Sequence, residues 1–432
     1  MTPGLWQRGS GPWRGVGLCA AVAWTLIAAA PLGAQEARRL NDAAARLTAE
    51  GRYAEALPLL ARAHSLSPAD AVIRRNLATL RTVLGHRAMA GGAVEAAREQ
   101  YQAALDLVPD EAAALLGLGD VALRLREAGA AVELYRRALA LQPGEPDTYL
   151  RLGEAHYQLG DLPAAAAWEQ GLGVRPEHAP LRRRLERART EGQVEGTYQA
   201  RLSQHFQLRF EGGRDEAVGR EVLEILEAAY RDLGYWLGSY PPSVVQVTLY
   251  NQQDFRAVVR GPSWTGATYS NLDGRIRVAI RGATGSDPEL RQLLYHEYAH
   301  ALIYGLTRGN IPTWLNEGLA VKAEAADGAG GGHEGGLLAG ARAAARQGDL
   351  IPLARLSDSF LGMSSTRTVA LAYAQSYAAV EFLDGRYGSG VMAGLLRRLG
   401  DGLPFPAAVA ETFGSPIEQI EAAWHDWLQR GP

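Results

Sequence analysis

Small and apolar residues recur in the first half of the chain with a period of about 34 residues, which is typical of a repeated pair of helices. Each unit has an alanine, then an aromatic residue or leucine, then an alanine or glycine, and then a proline. The four sets are Ala56, Leu60, Ala63, Pro68; Ala97, Tyr101, Ala104, Pro109; Ala131, Tyr135, Ala138, Pro143; and Ala164, Trp168, Gly171, Pro176. The pattern predicts about four stacked helix pairs over residues 37–178.

One interval departs from this period, because Pro68 and Pro109 are 41 residues apart. An extended helix or an insertion is therefore expected near residues 71–77. After the last unit, residues 179–200 begin with a run of arginines and leucines. This run predicts a charged closing helix that shields the last repeat and links it to the second half of the chain.

Apolar and polar residues alternate in later segments, as expected for strands with one buried face. Strands are expected at residues 205–210, 245–249 and 275–281, with a turn at 271–274 and a helix at 216–237. From Leu337 onward the pattern is helical. The second half of the chain is thus predicted to be an α+β domain that is mostly helical towards its carboxyl terminus.

The segment Tyr295-His296-Glu297-Tyr298-Ala299-His300 carries the main candidate chemistry. On a helix, residues four apart share one face, so the two histidines are placed to bind one zinc ion. Glu297 would lie beside the metal and take a proton from zinc-bound water. Glu317, on the following predicted helix, is a candidate third ligand. The alternative is a helix whose histidines are ordinary packing residues.

The pairing of HEYAH with the downstream motif WLNEG resembles the gluzincin metallopeptidases, and more closely their peptidase MA-like branch, over residues 201–430. This resemblance implies a zincin-like fold and one Zn²⁺ per chain. It implies His296, His300 and Glu317 as zinc ligands and Glu297 as general base and acid. It also implies that an edge strand, here residues 275–281, pairs with extended substrate, although a plain sheet edge is a serious alternative.

One position departs from the family pattern. Several gluzincins have an acidic residue one turn after the glutamate ligand, where it supports a zinc histidine, and this chain has Val321 there. A backbone carbonyl or Glu324 is expected to orient the histidines instead. The segment Ala372-Tyr373-Ala374-Gln375-Ser376-Tyr377 also resembles the family, and it makes Tyr373 the candidate donor to the oxyanion. The alternative is that Tyr373 and Tyr377 both pack in the core.

The repeated helix pairs resemble the tetratricopeptide repeat, which implies a curved solenoid whose concave surface holds a peptide or protein partner. A structural role in orienting the second half is the alternative. The separate periodicity of the repeats, and their lack of clustered titratable groups, predict that they recruit and do not catalyse. On this view a chain beginning near Gly196 would retain zinc and cleave small peptides.

The first 34 residues read as a signal peptide. Arg8 and Arg14 precede an apolar run from Val16 to Ala30, and small residues end at Ala34. Cleavage there would leave no cysteine, no membrane span and a net charge of −5, from −3 for the whole chain. An uncleaved membrane tether is the alternative. The acidic balance gives no indication of nucleic-acid binding.

The sequence therefore predicts an α-helical tetratricopeptide solenoid followed by an α+β zincin-like metallopeptidase domain, exported to the periplasm or outside the cell. Its expected activity is peptide hydrolysis, with a protein partner or substrate recruited by the repeats. A different class of function remains open, namely an interaction scaffold whose peptidase-like domain has little or no turnover. A hydrolase acting on an amide other than a peptide is a third possibility.

Overall fold

The computed structural model describes residues 32–160, 163–212, 215–241, 243–259, 266–280, 287–326, 333–357, 360, 363 and 365–430. Apart from residues 32–34, which begin the first helix, the predicted signal peptide lies outside the described residues. The glycine-rich segment 327–332 also lies outside them, as does the side chain of His333. None of the described helices is long and apolar enough to span a membrane.

Helices in the first half pack as four consecutive pairs, which confirms the predicted solenoid. They are α1 (Leu32–Ala49), α2 (Tyr53–Leu66), α3 (Ala71–Ala90), α4 (Val94–Leu107), α5 (Ala112–Arg124), α6 (Ala128–Leu141), α7 (Pro146–Leu159) and α8 (Pro163–Val174), followed by α9 (Ala179–Glu195). Helix α3 has 20 residues, whereas α5 and α7 have 13 and 14. Its extra turns account for the longer interval between Pro68 and Pro109.

The recurring small residues let the paired helices approach closely. A Cβ atom added at Gly119 would lie 2.5 Å from the ring of Tyr135, and one at Gly153 would lie 2.1 Å from the indole of Trp168. Both rings are buried, with 0% and 1% of their surface exposed. Each large ring therefore packs directly against helix backbone, and the burial of these rings stabilises the solenoid.

The second half begins with a five-stranded mixed sheet in the order β1-β2-β3-β5-β4. Its strands are β1 (Gln199–Leu202), β2 (Phe206–Phe210), β3 (Val245–Tyr250), β4 (Ala267–Tyr269) and β5 (Ile276–Ala279). The expectation that residues 275–281 form the edge of the sheet is wrong. Strand β5 lies between β3, its parallel neighbour, and the antiparallel β4, which is the edge strand.

The remaining helices pack on both faces of the sheet and form the carboxyl-terminal part. They are α10 (Asp215–Leu237), α11 (Gln252–Val258), α12 (Pro288–Thr307), α13 (Thr313–Ala323), α14 (His333–Gln347), a 3-10 helix (Leu353–Leu356), α15 (Thr366–Tyr387), α16 (Ser389–Gly400), α17 (Phe405–Phe413) and α18 (Ile417–Arg430). The rings of Phe206 on β2 and Tyr298 on α12 are 5.3 Å apart. This contact belongs to the core that fixes α12 against the sheet.

Turns and helix ends of the second, third and fourth repeats lie against the second half of the chain. The contacts are Gly92 with the side chain of Asn310, Arg124 Nε with the carbonyl of Arg308 at 2.7 Å, and Gln158 Nε2 with the carbonyl of Leu272 at 2.7 Å. These contacts come from successive repeats. The solenoid therefore contacts the second half of the chain at several repeats along its length, and not only through the closing helix.

A buried charged network lies at this junction. The guanidinium of Arg277 on β5 is fully buried and contacts Asp273 at 2.5 Å, Tyr157 Oη at 3.1 Å and Glu191 at 3.3 Å. Burial raises the pKa of Asp273, but the nearby Arg277 outweighs it and lowers this pKa to about 2. Tyr157 and Glu191 belong to α7 and α9, so the charges of the second half are satisfied partly by the first half.

Candidate active site

Two consecutive helices bring the candidate metal ligands together. Asp287 caps α12 by accepting a hydrogen bond from the Glu289 N–H at 3.0 Å, and Pro288 fits the first turn. After α12 the chain reverses through Arg308 and Gly309, which both have left-handed φ angles of 54° and 77°. This reversal lays α13 against α12.

The three predicted ligands converge. Nε2 of His296 and Nε2 of His300 are 3.1 Å apart, and Oε2 of Glu317 lies 3.7 Å from each nitrogen. One ligand atom from each of the three residues lies within 4.8 Å of the others, so the described residues contain a His-His-Glu cluster able to hold a metal ion.

The opposite nitrogen of each ring contacts an oxygen. His296 Nδ1 lies 2.7 Å from Glu324 Oε1, and His300 Nδ1 lies 3.1 Å from Asn316 Oδ1. These oxygens accept hydrogen bonds, so each Nδ1 carries the proton and each Nε2 presents a lone pair. Two lone pairs and a carboxylate oxygen converging on one point repel one another unless a cation lies between them. The residues therefore fit a divalent metal ion such as zinc.

Glu297 faces the same cleft without joining the ligand cluster. Its side chain is largely buried, with 6% of the residue surface exposed. Burial raises the pKa of the Glu297 carboxyl, and the nearby His300 and His296 rings offset this effect only in part. The backbone of Tyr269 on β4 lies near this carboxylate and lowers its pKa, and both residues line the cleft. The edge strand is thus in contact with the proposed proton carrier.

Tyr373 on α15 lines the same cleft as the cluster, and its hydroxyl interacts with the Glu317 carboxylate. Burial and the charge of Glu317 raise the pKa of Tyr373, so its hydroxyl stays protonated and can donate. The ring also packs edge-on against Phe360, with centroids 5.4 Å apart. Tyr373 therefore combines a core contact with a polar group in the cleft, whereas Tyr377 is buried with 7% of its surface exposed.

These groups line one cleft with a volume of about 650 Å³. Strand β4 forms one wall, and helices α12, α13 and α15 form most of the rest, together with residues such as Leu337 and Phe360. Its wall contains all five predicted site residues, namely His296, Glu297, His300, Glu317 and Tyr373. The cleft is large enough for a few residues of an extended chain.

Close packing holds Tyr373 near Glu317. A Cβ atom added at Gly318 on α13 would lie 2.4 Å from the carbonyl oxygen of Ser376 on α15. Only a residue without a side chain allows this separation, so the backbones of the two helices are in contact just beyond the ligand.

Sequence reasoning missed two residues of this site. Asn316 precedes Glu317 within the WLNEG motif, and its amide oxygen at the His300 ring was not anticipated. Tyr269 was missed because β4 has only three residues, which is too short for a pattern of alternation.

Comparison with known proteins gives the class of each half. Residues 231–430 match the family model described as Peptidase MA superfamily, and residues 82–146 and 130–173 match the model of the tetratricopeptide repeat. The chain therefore contains a peptidase MA superfamily domain, preceded by tetratricopeptide repeats of the kind that mediate protein interactions. No curated protein matches the chain.

Solved structures also match. A crystal structure of MamA protein is 20% identical over 37% of this chain and 83% of that chain, with a TM-score of 0.31. YrrB, described as a TPR protein with an unusual peptide-binding site, is 15% identical over 34% of this chain and 91% of that chain, with a TM-score of 0.26.

Proposed function

We propose that this protein is an exported, zinc-dependent metallopeptidase whose repeats recruit a protein partner or substrate. The observation that carries this proposal is the convergence of His296, His300 and Glu317, with ligand atoms within 4.8 Å of one another, in the cleft that Glu297 also lines. The peptidase MA match over residues 231–430 supports the same activity.

Each residue of the site has a separate role in the proposed reaction. When bound, a zinc ion supplies a Lewis acid that polarises the peptide carbonyl and activates water. Glu297 takes a proton from the attacking water and returns it to the leaving amine. The Tyr373 hydroxyl, which lies beside the cluster, donates to the carbonyl oxygen as negative charge develops on it. Glu324 and Asn316 keep the two imidazoles turned towards the metal.

Export is proposed from the first 34 residues, which have the order of a signal peptide. The absence of cysteine after Cys19 agrees with a protein that functions outside the cytoplasm and is stabilised by its core. The repeats, with their separate periodicity, are proposed to bind a peptide or protein segment.

Metal analysis and a peptide-library digest test this function together. The purified protein should contain one zinc per chain and cleave peptides, and a chelator should abolish cleavage. His300→Ala and Glu317→Ala should each lose the metal. Glu289→Ala, which removes a carboxylate from the same cleft, should keep it.

Two results would contradict the proposal. Stoichiometric zinc in folded His300→Ala and Glu317→Ala would overturn the ligand assignment. One zinc per chain without any peptide cleavage would instead favour the interaction scaffold with a peptidase-like domain.

A further inference from the structure

The turn between α5 and α6 has an unusual residue in a conformation that favours glycine. Among the described residues, Arg126 and Arg308 are the non-glycine positions with positive φ, at 63° and 54°. Arg126 precedes the recurring alanine of its repeat by five residues, and Gly51 and Gly92 occupy the same place in the first two repeats with φ of 75° and 79°. Glycine adopts this backbone without strain, whereas arginine does not. The side chain of Arg126 is therefore held in place by contacts that outweigh the strain.

Those contacts all lie in the second half of the chain. Nη1 of Arg126 donates to the carbonyl of Leu272 at 3.1 Å, and Nη2 donates to the carbonyl of Asn271 at 2.8 Å and to Tyr269 Oη at 3.2 Å. The guanidinium also lies over the ring of Tyr304 on α12, 4.9 Å from its centroid. One side chain thus joins the end of β4, the turn after it and the helix that carries both histidines.

Strand β4 needs such a contact because it is short and pairs with a neighbour on one side only. Its three residues pair with β5, and Tyr269 lies opposite Ile276. The backbone of Tyr269 lies near the Glu297 carboxylate, and both residues line the cleft. A displacement of β4 would therefore move the Tyr269 backbone relative to Glu297 and would shift one wall of the site.

We propose that Arg126 is a positioning residue for the active site: its guanidinium fixes the end of β4 and the following turn, so that the Tyr269 backbone stays in contact with Glu297. The third repeat then forms part of the peptidase site as well as part of a recruiting surface. The role given to Glu297 rests on the proposed function, whereas the ordering of β4 by Arg126 does not.

Hydrogen exchange and kinetics on the full chain test this role. Arg126→Gly removes the side chain and relaxes the turn to the form used at Gly51 and Gly92. Arg126→Asn is the second variant, since asparagine tolerates the left-handed region but is too short to reach Tyr269. Arg136→Ala, which removes an exposed arginine of the same repeat paired with Glu133, is the matched control.

In both Arg126 variants, amides of residues 266–275 should exchange about tenfold faster or more, with protection in the helices of the third repeat unchanged. The kcat for peptide cleavage should fall about tenfold or more, with less than about a threefold change in KM and with zinc retained. Arg136→Ala should match the unaltered protein in every measurement.

Unchanged exchange at residues 266–275 in either variant that retains its third repeat would overturn the proposal. Faster exchange spread evenly over the whole chain would also overturn it, because Arg126 would then act as a general stabilising contact. If the unaltered protein cleaves no peptide, the proposed function fails, and the exchange measurement still decides whether Arg126 orders β4.

Discussion

Oε1 of Glu324 lies 2.7 Å from Nδ1 of His296, although the two residues are 28 positions apart. His296 is on α12, and Glu324 caps the carboxyl end of α13. Glu324 follows Glu317 by seven residues, which is two helical turns, so both carboxylates face α12. The Glu317 carboxylate approaches the candidate metal position, and the Glu324 carboxylate contacts the opposite nitrogen of the His296 ring. Glu324 thus replaces the acidic group that the family pattern places at residue 321.

Replacing Glu324 should weaken metal binding without removing a ligand. In Glu324→Ala, His296 loses the acceptor that fixes its tautomer and orientation, so zinc affinity should fall about 10-fold to 100-fold. Competition with a chromogenic chelator measures this change. Glu324→Gln retains an oxygen acceptor, so its zinc affinity should lie between those of Glu324→Ala and the unaltered protein. Equal affinity in all three proteins would show that His296 is oriented by another group.

Glu297→Gln should separate proton transfer from metal binding. The amide is nearly isosteric with the carboxylate but cannot accept the proton, so kcat should fall by about 10²-fold to 10⁴-fold with zinc content unchanged. Steady-state kinetics and metal analysis on the same preparation check this expectation. Comparable turnover in the variant and the unaltered protein would point to a contaminant or to a different site.

Tyr373→Phe should test the proposed oxyanion donor. The change keeps the ring that packs on Phe360 and removes the hydroxyl that contacts Glu317. Turnover should fall about 10²-fold or more, with zinc content and melting temperature preserved. Tyr298→Phe is the control, because the Tyr298 hydroxyl is buried in the core with no hydrogen-bond partner among the described residues. Normal turnover in Tyr373→Phe would assign the ring to packing alone.

A shortened chain beginning at Gly196 should be much less stable than the whole protein. It lacks Tyr157 and Glu191, so Arg277 loses two of its partners. Arg277 then keeps Asp273 as a partner, and the loss of the docked repeats exposes surface that they cover in the whole protein. Thermal melting should show a large decrease. This expectation reverses the sequence-based prediction of an independent peptidase half, and a shortened chain that melts like the whole protein would restore it.

Acid stability should depend on Asp273. Its folded pKa of about 2 lies below the ordinary value of 3.8, so its contribution is present above pH 4 and is lost as the pH falls towards 2. The shift corresponds to about 2 kcal/mol in the free energy of unfolding. Asp273→Asn should therefore be less stable at pH 7, and its stability should change less between pH 4 and pH 2. Chemical denaturation across this range measures both effects, and parallel pH profiles would contradict the assignment.

Local patterns were sufficient for the solenoid, for the long α3 and for the candidate ligand residues. Glu324 was one of two groups expected to orient the histidines, the other being a backbone carbonyl. The position of β4 and the role of Arg126 were not predictable in this way. Three residues are too few to show alternation, and an arginine in a turn resembles any exposed cation until the docking of the two halves is known.

Gly318 has no side chain, and it determines how closely helices α13 and α15 approach each other. With any side chain at residue 318, α15 would have to move away from α13, since a Cβ atom there would lie 2.4 Å from the Ser376 carbonyl oxygen. Tyr373 would then separate from Glu317 while both residues remained in place. The proposed activity can therefore be lost through a residue that performs no chemistry, so the five site residues of a related sequence are best judged together with the residue at this position.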